Sequence, residues 1–201
     1  MNAPPDRRTE LLGKVVDELL ARGAADLSLR PLAERVGSSA RLLIYHFGSK
    51  EQLVADALAE IRIGIQASLG ARAAEFGPAS LRDLVMMVWD WAVEPENQGY
   101  FRLLFEVDGL TMFNRIRVPH EVRKADSAVW IAMIERAAAR LPRDGALFAA
   151  NATLILGAFV GLLQEFLSTG EREKTTAALT TLVDLIAADG EARPQPQGVT
   201  P

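Results

Sequence analysis

Residues 28–53 read SLRPLAERVGSSARLLIYHFGSKEQL, and the turn chemistry of this stretch decides the fold of the N-terminal region. Its first apolar residues recur at helical spacing and predict a short helix: Leu29, Leu32, Ala33 and Val36. We expect Ser28 to cap the start of that helix with its hydroxyl. Gly37 should end it, because glycine enters the left-handed conformation without a Cβ clash.

A second short helix is predicted after Gly37, with Ser38 or Ser39 as its N-cap and Gly48 at its end. Its apolar side chains can pack back on the first helix: Leu42, Leu43 and Phe47. Ser49 and Gln52 then match the S-x-x-Q capping box that starts a third helix. Two short helices joined by so tight a turn predict a helix-turn-helix, whose second helix is placed for the major groove of DNA.

The segment from Gly37 to Leu53 resembles the DNA-binding domain of the TetR family of transcriptional regulators. The family pattern is roughly Gly-Val-Ser-x-x-Thr-Leu-Tyr-x-His-Phe-x-Ser-Lys-Glu-x-Leu, and this chain reads GSSARLLIYHFGSKEQL. The match is stronger in the second half, since Leu42 stands for the usual Thr and Ile44 for the usual Tyr. Ile44 cannot donate a hydrogen bond to a phosphate, so Tyr45 either replaces that contact or reads a base.

The resemblance and the side-chain chemistry together give a predicted DNA-contact set: Ser28, Arg30, Ser39, Ala40, Arg41, Leu42, Tyr45, His46 and Lys50. Arg41 lies in the first turn of its helix, where its guanidinium could pair with guanine O6 and N7; a solvated arginine is the alternative. Tyr45 and His46 are expected at phosphates, although His46 could instead pack against the preceding helix. Lys50 adds its charge to the positive N-terminus of the next helix, which favours anions.

The composition of the chain predicts a cytoplasmic protein that is not an enzyme. Its 201 residues suffice for one large or two small domains, and it has no cysteine for a disulfide or thiolate site. The polar segment 1–10 lacks the apolar core of a signal peptide. Two distant histidines, without nucleophile-elbow, phosphate-loop or dinucleotide motifs, predict no catalytic residues, metal or cofactor. A carboxylate-only active site stays open, although no pair of carboxylates stands out.

The net charge of −4 is unevenly distributed along the chain. Residues 1–50 carry eight Lys and Arg against six Asp and Glu, whereas residues 51–201 carry fourteen against twenty. The N-terminal region is therefore weakly positive. This sign suits DNA, and we expect affinity to fall as salt rises.

Beyond residue 53, glycine and proline separate further helical patterns, which predicts an all-α fold of about nine helices. The predicted ranges outside the two short helices are 6–22, 50–74, 79–93, 96–107, 119–141, 144–168 and 172–188. The predicted domains are a helix-turn-helix DNA-binding domain at 1–49 and a helical ligand-binding and dimerisation domain at 50–189. Residues 190–201 are proline-rich and predicted to be a disordered tail.

Residues 146–163 form an apolar run that contains Gly157-x-x-x-Gly161 and only two polar residues. This length approaches that of a membrane-spanning helix, and the glycine spacing is typical of helix pairs. The run lacks aromatic belts and is followed by Gln164 and Glu165. We therefore expect a helix buried on most faces inside the protein, with the two glycines at a close helix crossing, and no membrane partner.

The resemblance also implies a homodimer, because in TetR-like proteins the last two helices pair with their copies into a four-helix interface. Small and apolar residues of these helices suit that interface: Ala150, Leu154, Gly157, Gly161, Leu179, Val183 and Ile186. The alternative is a monomer whose core these helices fill. A two-fold pair supplies the second half-site that one short recognition helix lacks for specificity.

The resemblance further implies a small-molecule site in the C-terminal domain. Methionine and aromatic side chains line adaptable apolar pockets well, and the predicted set is Met86, Trp89, Phe101, Phe105, Phe113, Trp130 and Met133. For each of them a plain core position is the alternative. Carboxylates among them, Asp90, Glu106 and Asp108, could pair with a cationic ligand or be solvated.

These features predict a ligand-responsive transcriptional regulator that a small molecule releases from a palindromic operator in double-stranded DNA. The repressor role follows from the resemblance alone. The helix at 50–74 is the expected lever between the DNA-binding and ligand-binding parts. The alternative is a helical small-molecule or lipid carrier whose helix-turn-helix no longer binds DNA.

Overall fold

The structure is a computed structural model, and it describes residues 6–25, 27–117, 120–141 and 145–192. All regular secondary structure in these ranges is helical, as predicted. The nine helices that they contain are α1 (Arg7–Arg22), α2 (Leu29–Arg35), α3 (Ala40–Phe47), α4 (Lys50–Phe76), α5 (Leu81–Val93), α6 (Pro95–Met112), α7 (His120–Ala138), α8 (Gly145–Thr169) and α9 (Arg172–Ala192).

Internal contacts divide the chain into two units. The N-terminal unit comprises Met1–Gly70 and Glu94–Lys124, and the C-terminal unit comprises Ala71–Val93 and Ala125–Pro201. The N-terminal unit thus adds the first part of α4 and the whole of α6 to the helix-turn-helix. The functional domain boundary at residues 49 and 50 stays a prediction.

Aliphatic side chains of α1, α2, α3 and α4 form the core of the N-terminal unit. Those that are fully buried include Leu11, Val15, Leu32, Leu43 and Leu53. Burying a side chain of this size contributes about 1.5–3 kcal/mol. The apolar stripes that the sequence displays on these helices are therefore the faces that meet in this core.

The C-terminal unit packs α5, α8 and α9 against one another. Trp89 of α5 is fully buried, and its ring meets Phe159 of α8 edge-to-face with the centroids 5.5 Å apart. The indole N–H donates to the hydroxyl oxygen of Thr176 on α9 at 2.8 Å. The same residue thus supplies apolar area and a satisfied polar group, which is how a tryptophan is buried without loss.

The prediction that α8 is buried on most faces was wrong. Only 22% of the apolar span Ala150–Thr169 is buried. By length and composition alone, this helix could cross a membrane. In the described residues, no heavy atom of another segment lies within 4 Å of a Cβ built on Gly157 or Gly161. The two glycines therefore make no close helix crossing inside the protein chain.

The helix ends follow the predicted turn chemistry in most places. Gly37 and Gly48 have positive φ angles of 68° and 78°, as expected for the residues that end α2 and α3. The backbone N–H of Gln52 donates to Ser49 Oγ at 3.0 Å, but the Gln52 side chain turns to Asp56 instead of completing the capping box.

Two helix-end predictions were wrong. Ser28 occupies the N-cap position of α2 in an extended conformation, but its side chain makes no capping hydrogen bond. Helix α9 continues through Gly190 to Ala192. The remainder of the predicted tail, residues 193–201, lies outside the described residues, as do Pro119 and residues 142–144, where predicted helices begin and end.

Candidate functional site

The helix α3 is held by two apolar side chains and an N-terminal cap. Leu43 and Phe47 are buried, and their spacing of four residues places them on one face of the helix. Ser39 Oγ accepts from the backbone N–H of Leu42 at 3.2 Å, which satisfies one of the N–H groups that a helix start leaves unpaired. Packing of this face determines which residues of α3 lie on the opposite side of the helix.

The opposite face of α3 presents Arg41 and Tyr45 to solvent. Tyr45 is 81% exposed, and Arg41, one turn earlier, is also exposed. His46 is half-buried and meets the Tyr45 ring edge-on, with the centroids 5.1 Å apart. Ala40 and Leu42 are half-buried beside them. A guanidinium and a phenol side by side on one exposed helix face are suited to base edges and phosphates.

Residues before and after α3 extend this surface unevenly. Ser28 and Arg30 are exposed at the start of α2. Lys50, in contrast, is half-buried, and its ammonium donates to the Leu27 carbonyl at 2.9 Å. Lys50 therefore joins the start of α4 to the segment before α2, a structural contact that the sequence did not indicate.

The sequence pattern of the bacterial regulatory proteins of the tetR family matches residues 16–57, which run from α1 through α3 into α4. Over these residues, the chain has the N-terminal sequence pattern of the TetR family. No curated protein sequence matches the chain.

Solved structures resemble this chain over most of its length. A Rhodococcus sp. protein assigned to the TetR-family transcriptional regulators is 21% identical, with a TM-score of 0.65 over 90% of this chain and 97% of that one. The transcriptional regulator SCO7518 of Streptomyces coelicolor A3(2) is 21% identical, with a TM-score of 0.64 over 89% and 99%. The multidrug binding protein EbrR, solved with imidazole, is 19% identical, with a TM-score of 0.64 over 96% and 98%. These likenesses establish the fold.

The predicted ligand residues fall in both units of the TetR-type fold. Phe101, Phe105 and Phe113 belong to the N-terminal unit, where Phe101 is buried and Phe113 is exposed. Met86, Trp89, Trp130 and Met133 belong to the C-terminal unit. Trp89 is a core residue there, with both ring and N–H satisfied, so of the two alternatives for this residue the structure favours the plain core.

The carboxylate of Glu106 has a backbone partner that the sequence did not reveal. It accepts from the backbone N–H groups of Ala24 at 2.6 Å and Ala25 at 2.9 Å, just after α1 ends. Gly23 has a φ of 78°, and a Cβ at this position would clash with the Glu106 carboxylate. Glu106 therefore fastens α6 to the connection between α1 and α2, and its carboxylate is not free for a cationic ligand.

The predicted dimer residues divide by exposure. Ala150, Leu154, Gly157 and Gly161 are exposed and follow each other at helical spacing along one face of α8. Leu179, Val183 and Ile186 of α9 are buried inside the C-terminal unit. Their side chains are therefore not available to a partner copy, a correction to the predicted interface. Leu185, 65% exposed on the other side of α9, is an apolar surface residue that the prediction missed.

Proposed function

We propose that this chain is a DNA-binding transcriptional regulator that reads a palindromic operator as a homodimer and acts as a repressor released by a small molecule. The observation that carries the proposal is the exposed pair Arg41 and Tyr45 on α3. The opposite face of α3 is anchored through Leu43 and Phe47. The helix can therefore enter a major groove without losing its own packing.

The proposed DNA contacts follow from position and chemistry. Arg41 pairs with a guanine through O6 and N7, and Tyr45 supplies the hydroxyl for a phosphate in place of Ile44. Ser28 and Arg30 are exposed where phosphates would flank the groove. The Ser28 hydroxyl makes no capping hydrogen bond, so its O–H can donate to a phosphate. The hydroxyl of Ser39 is an acceptor in the cap and retains its O–H for a phosphate.

A second copy of the chain is the proposed partner of the exposed face of α8. Leu154 is 54% exposed and lies on the same face as Ala150, Gly157 and Gly161. Small residues allow two helices to approach closely, and a second helix would remove the apolar area of this face from water. Leu185 adds apolar area from α9. We propose that these residues replace Leu179, Val183 and Ile186 in the interface.

Release by a small molecule is the part of the proposal that depends on relatives. EbrR is a multidrug binding protein and was solved with imidazole. We propose a small-molecule site within the C-terminal unit, among the half-buried Met86, Trp130 and Met133. Any effector that weakens operator binding must itself bind less tightly when DNA is bound, by the same factor. The proposed location of the protein is the cytoplasm.

The test of the proposed function is the selection of bound DNA from a random pool. We expect a palindrome whose half-sites lie one helical turn or a multiple of it apart, bound by two chains. If the protein is instead a small-molecule carrier, no sequence will be enriched and no DNA will be retarded even at low salt. Retained binding of apolar fluorescent probes under those conditions would favour the carrier.

A further inference from the structure

Arg8 in the first turn of α1 contacts the far end of the recognition helix α3. Its Nε donates to the carbonyl of His46 at 3.4 Å, and its guanidinium lies 4.9 Å from the centroid of the Phe47 ring. Both partners belong to the last turn of α3, where unpaired carbonyls give the helix its negative end. A cation at this end and over an aromatic face is stabilising on both counts.

The same guanidinium is paired with Asp56 of α4 through its second nitrogen. The Asp56 side chain is only 18% exposed, and its other oxygen accepts from Gln52 Nε2 at 2.8 Å. Asp56 is thus held by its own helix and holds Arg8 in turn. One side chain of α1 therefore joins the end of α3 to the first part of α4, and all the residues involved lie in the N-terminal unit.

We propose that Arg8 and Asp56 form a clamp that positions the recognition helix for DNA reading, and that Arg8 is not a phosphate contact. This inference rests on the proposed function. The clamp holds the C-terminal end of α3, while the Ser39 cap and the buried Leu43 hold its beginning and middle. The recognition helix α3 must be held in a fixed orientation if Arg41 and Tyr45 are both to enter one groove.

The clamp and a phosphate contact predict opposite effects for one substitution. If Arg8 bound phosphate, Asp56 would compete with DNA for the guanidinium, so Asp56→Asn would strengthen binding. If Arg8 is part of a clamp, Asp56→Asn weakens binding although it removes a negative charge near DNA. The slope of log affinity against log salt separates the two cases as well, because it reports the phosphates neutralised.

The sequence provides a matched control in the preceding residue. Arg7 lies on the same turn of α1 and pairs with Glu10 at 2.8 Å, a partner on its own helix. Arg7→Ala and Arg8→Ala remove the same charge from neighbouring positions. Glu10→Gln is the corresponding control for Asp56→Asn. Within the part of the chain that the structure describes, Arg7 and Glu10 form their hydrogen bonds and ion pairs with residues of α1 and not with α3 or α4.

The experiment measures the affinity of these variants for the selected DNA across a salt series. We expect Arg8→Ala and Asp56→Asn each to lose about tenfold, the size of coupling within one hydrogen-bonded network, with the salt slope unchanged. The double variant should be no weaker than either single variant. Arg8→Lys should recover only part of the loss, because an ammonium lacks the forked geometry. Arg7→Ala and Glu10→Gln should bind within about twofold of the parent, as exposed ion pairs contribute little.

Hydrogen exchange tests the clamp independently of DNA affinity, because it measures the local stability of α3. We expect Arg8→Ala, but not Arg7→Ala, to speed exchange of the backbone amides in the last turn of α3. Stronger binding by Asp56→Asn, or a slope reduced by about one in Arg8→Ala, would overturn the clamp. Unchanged affinity and exchange in Arg8→Ala would also overturn it while leaving the proposed function intact. A parent chain that binds no DNA would overturn both.

Discussion

The outward faces of α3 and α8 are both exposed, but their chemistry is opposite. The face of α3 carries a guanidinium and a phenol, Arg41 and Tyr45. The face of α8 carries Leu154 between small residues, Ala150 and Gly157. Polar groups with directional donors suit base edges and phosphates, whereas a smooth apolar face suits another helix. The difference supports the two partners proposed above, DNA for α3 and a second copy of the chain for α8.

The largest effect should come from a residue that serves neither partner. Leu179 of α9 is fully buried inside the C-terminal unit. Because Leu179→Ala leaves a cavity there, we expect it to lower the free energy of unfolding by about 2–5 kcal/mol, measured by chemical denaturation. Leu185→Ala on the exposed side of the same helix should change stability by less than about 0.5 kcal/mol in the monomeric state. Equal losses would show that α9 is not oriented as described.

The second largest effect should come from a substitution on the exposed face of α8. Leu154→Arg places a charge where the proposed interface is apolar, so we expect the dimer to dissociate in sedimentation experiments. Its affinity for a second copy should fall by at least about 2 kcal/mol, as expected for a central interface residue. Leu84→Ala, at a buried position of α5, is the contrast, since it should reduce stability without selectively weakening dimerisation. A Leu154→Arg chain that remains dimeric would remove α8 from the interface.

The third effect breaks the α3 face alone. Arg41→Ala should cost about 1–3 kcal/mol of operator binding and relax the preference at one base pair, as measured by gel shift on matched and mismatched sites. Dimerisation and thermal stability should be unchanged, because Arg41 is exposed. If affinity and preference both survive, Arg41 does not read a base.

The smallest effect concerns Lys50, whose predicted role was phosphate binding. The ammonium bonds the Leu27 carbonyl, so Lys50→Ala should lower the stability of the N-terminal unit by about 1 kcal/mol. Operator binding should weaken alike for all sequences, by a similar amount. A thermal melt that matches the parent would mean that the Leu27 contact contributes nothing in solution.

The recognition helix could be predicted from the sequence because its determinants are local. Gly37, Ser39 and Gly48 act within one turn of their own positions, and the buried residues between them recur at helical spacing. The orientation of α3 then follows from which face is apolar. Contacts over long sequence separations could not be predicted this way, and Arg8 with Asp56 and Glu106 with Ala24 are examples.

In the C-terminal helices, the periodicity of apolar residues does not indicate which neighbour covers an apolar face. Leu179, Val183 and Ile186 form an apolar stripe that reads the same whether α5 and α8 or a second copy covers it. The sequence of α8 is apolar almost all round, so its pattern does not distinguish the packed side from the exposed one. Only the arrangement of neighbouring helices separates these cases.

The most direct test of the account is the binding of one selected DNA duplex by the parent chain, Arg41→Ala and Leu154→Arg. We expect two parent chains to bind each palindrome. Arg41→Ala should bind as a dimer with reduced affinity and relaxed preference, and Leu154→Arg should lose cooperative binding to paired half-sites. Tight binding of a single half-site by a monomer, unaffected by Arg41→Ala, would contradict it.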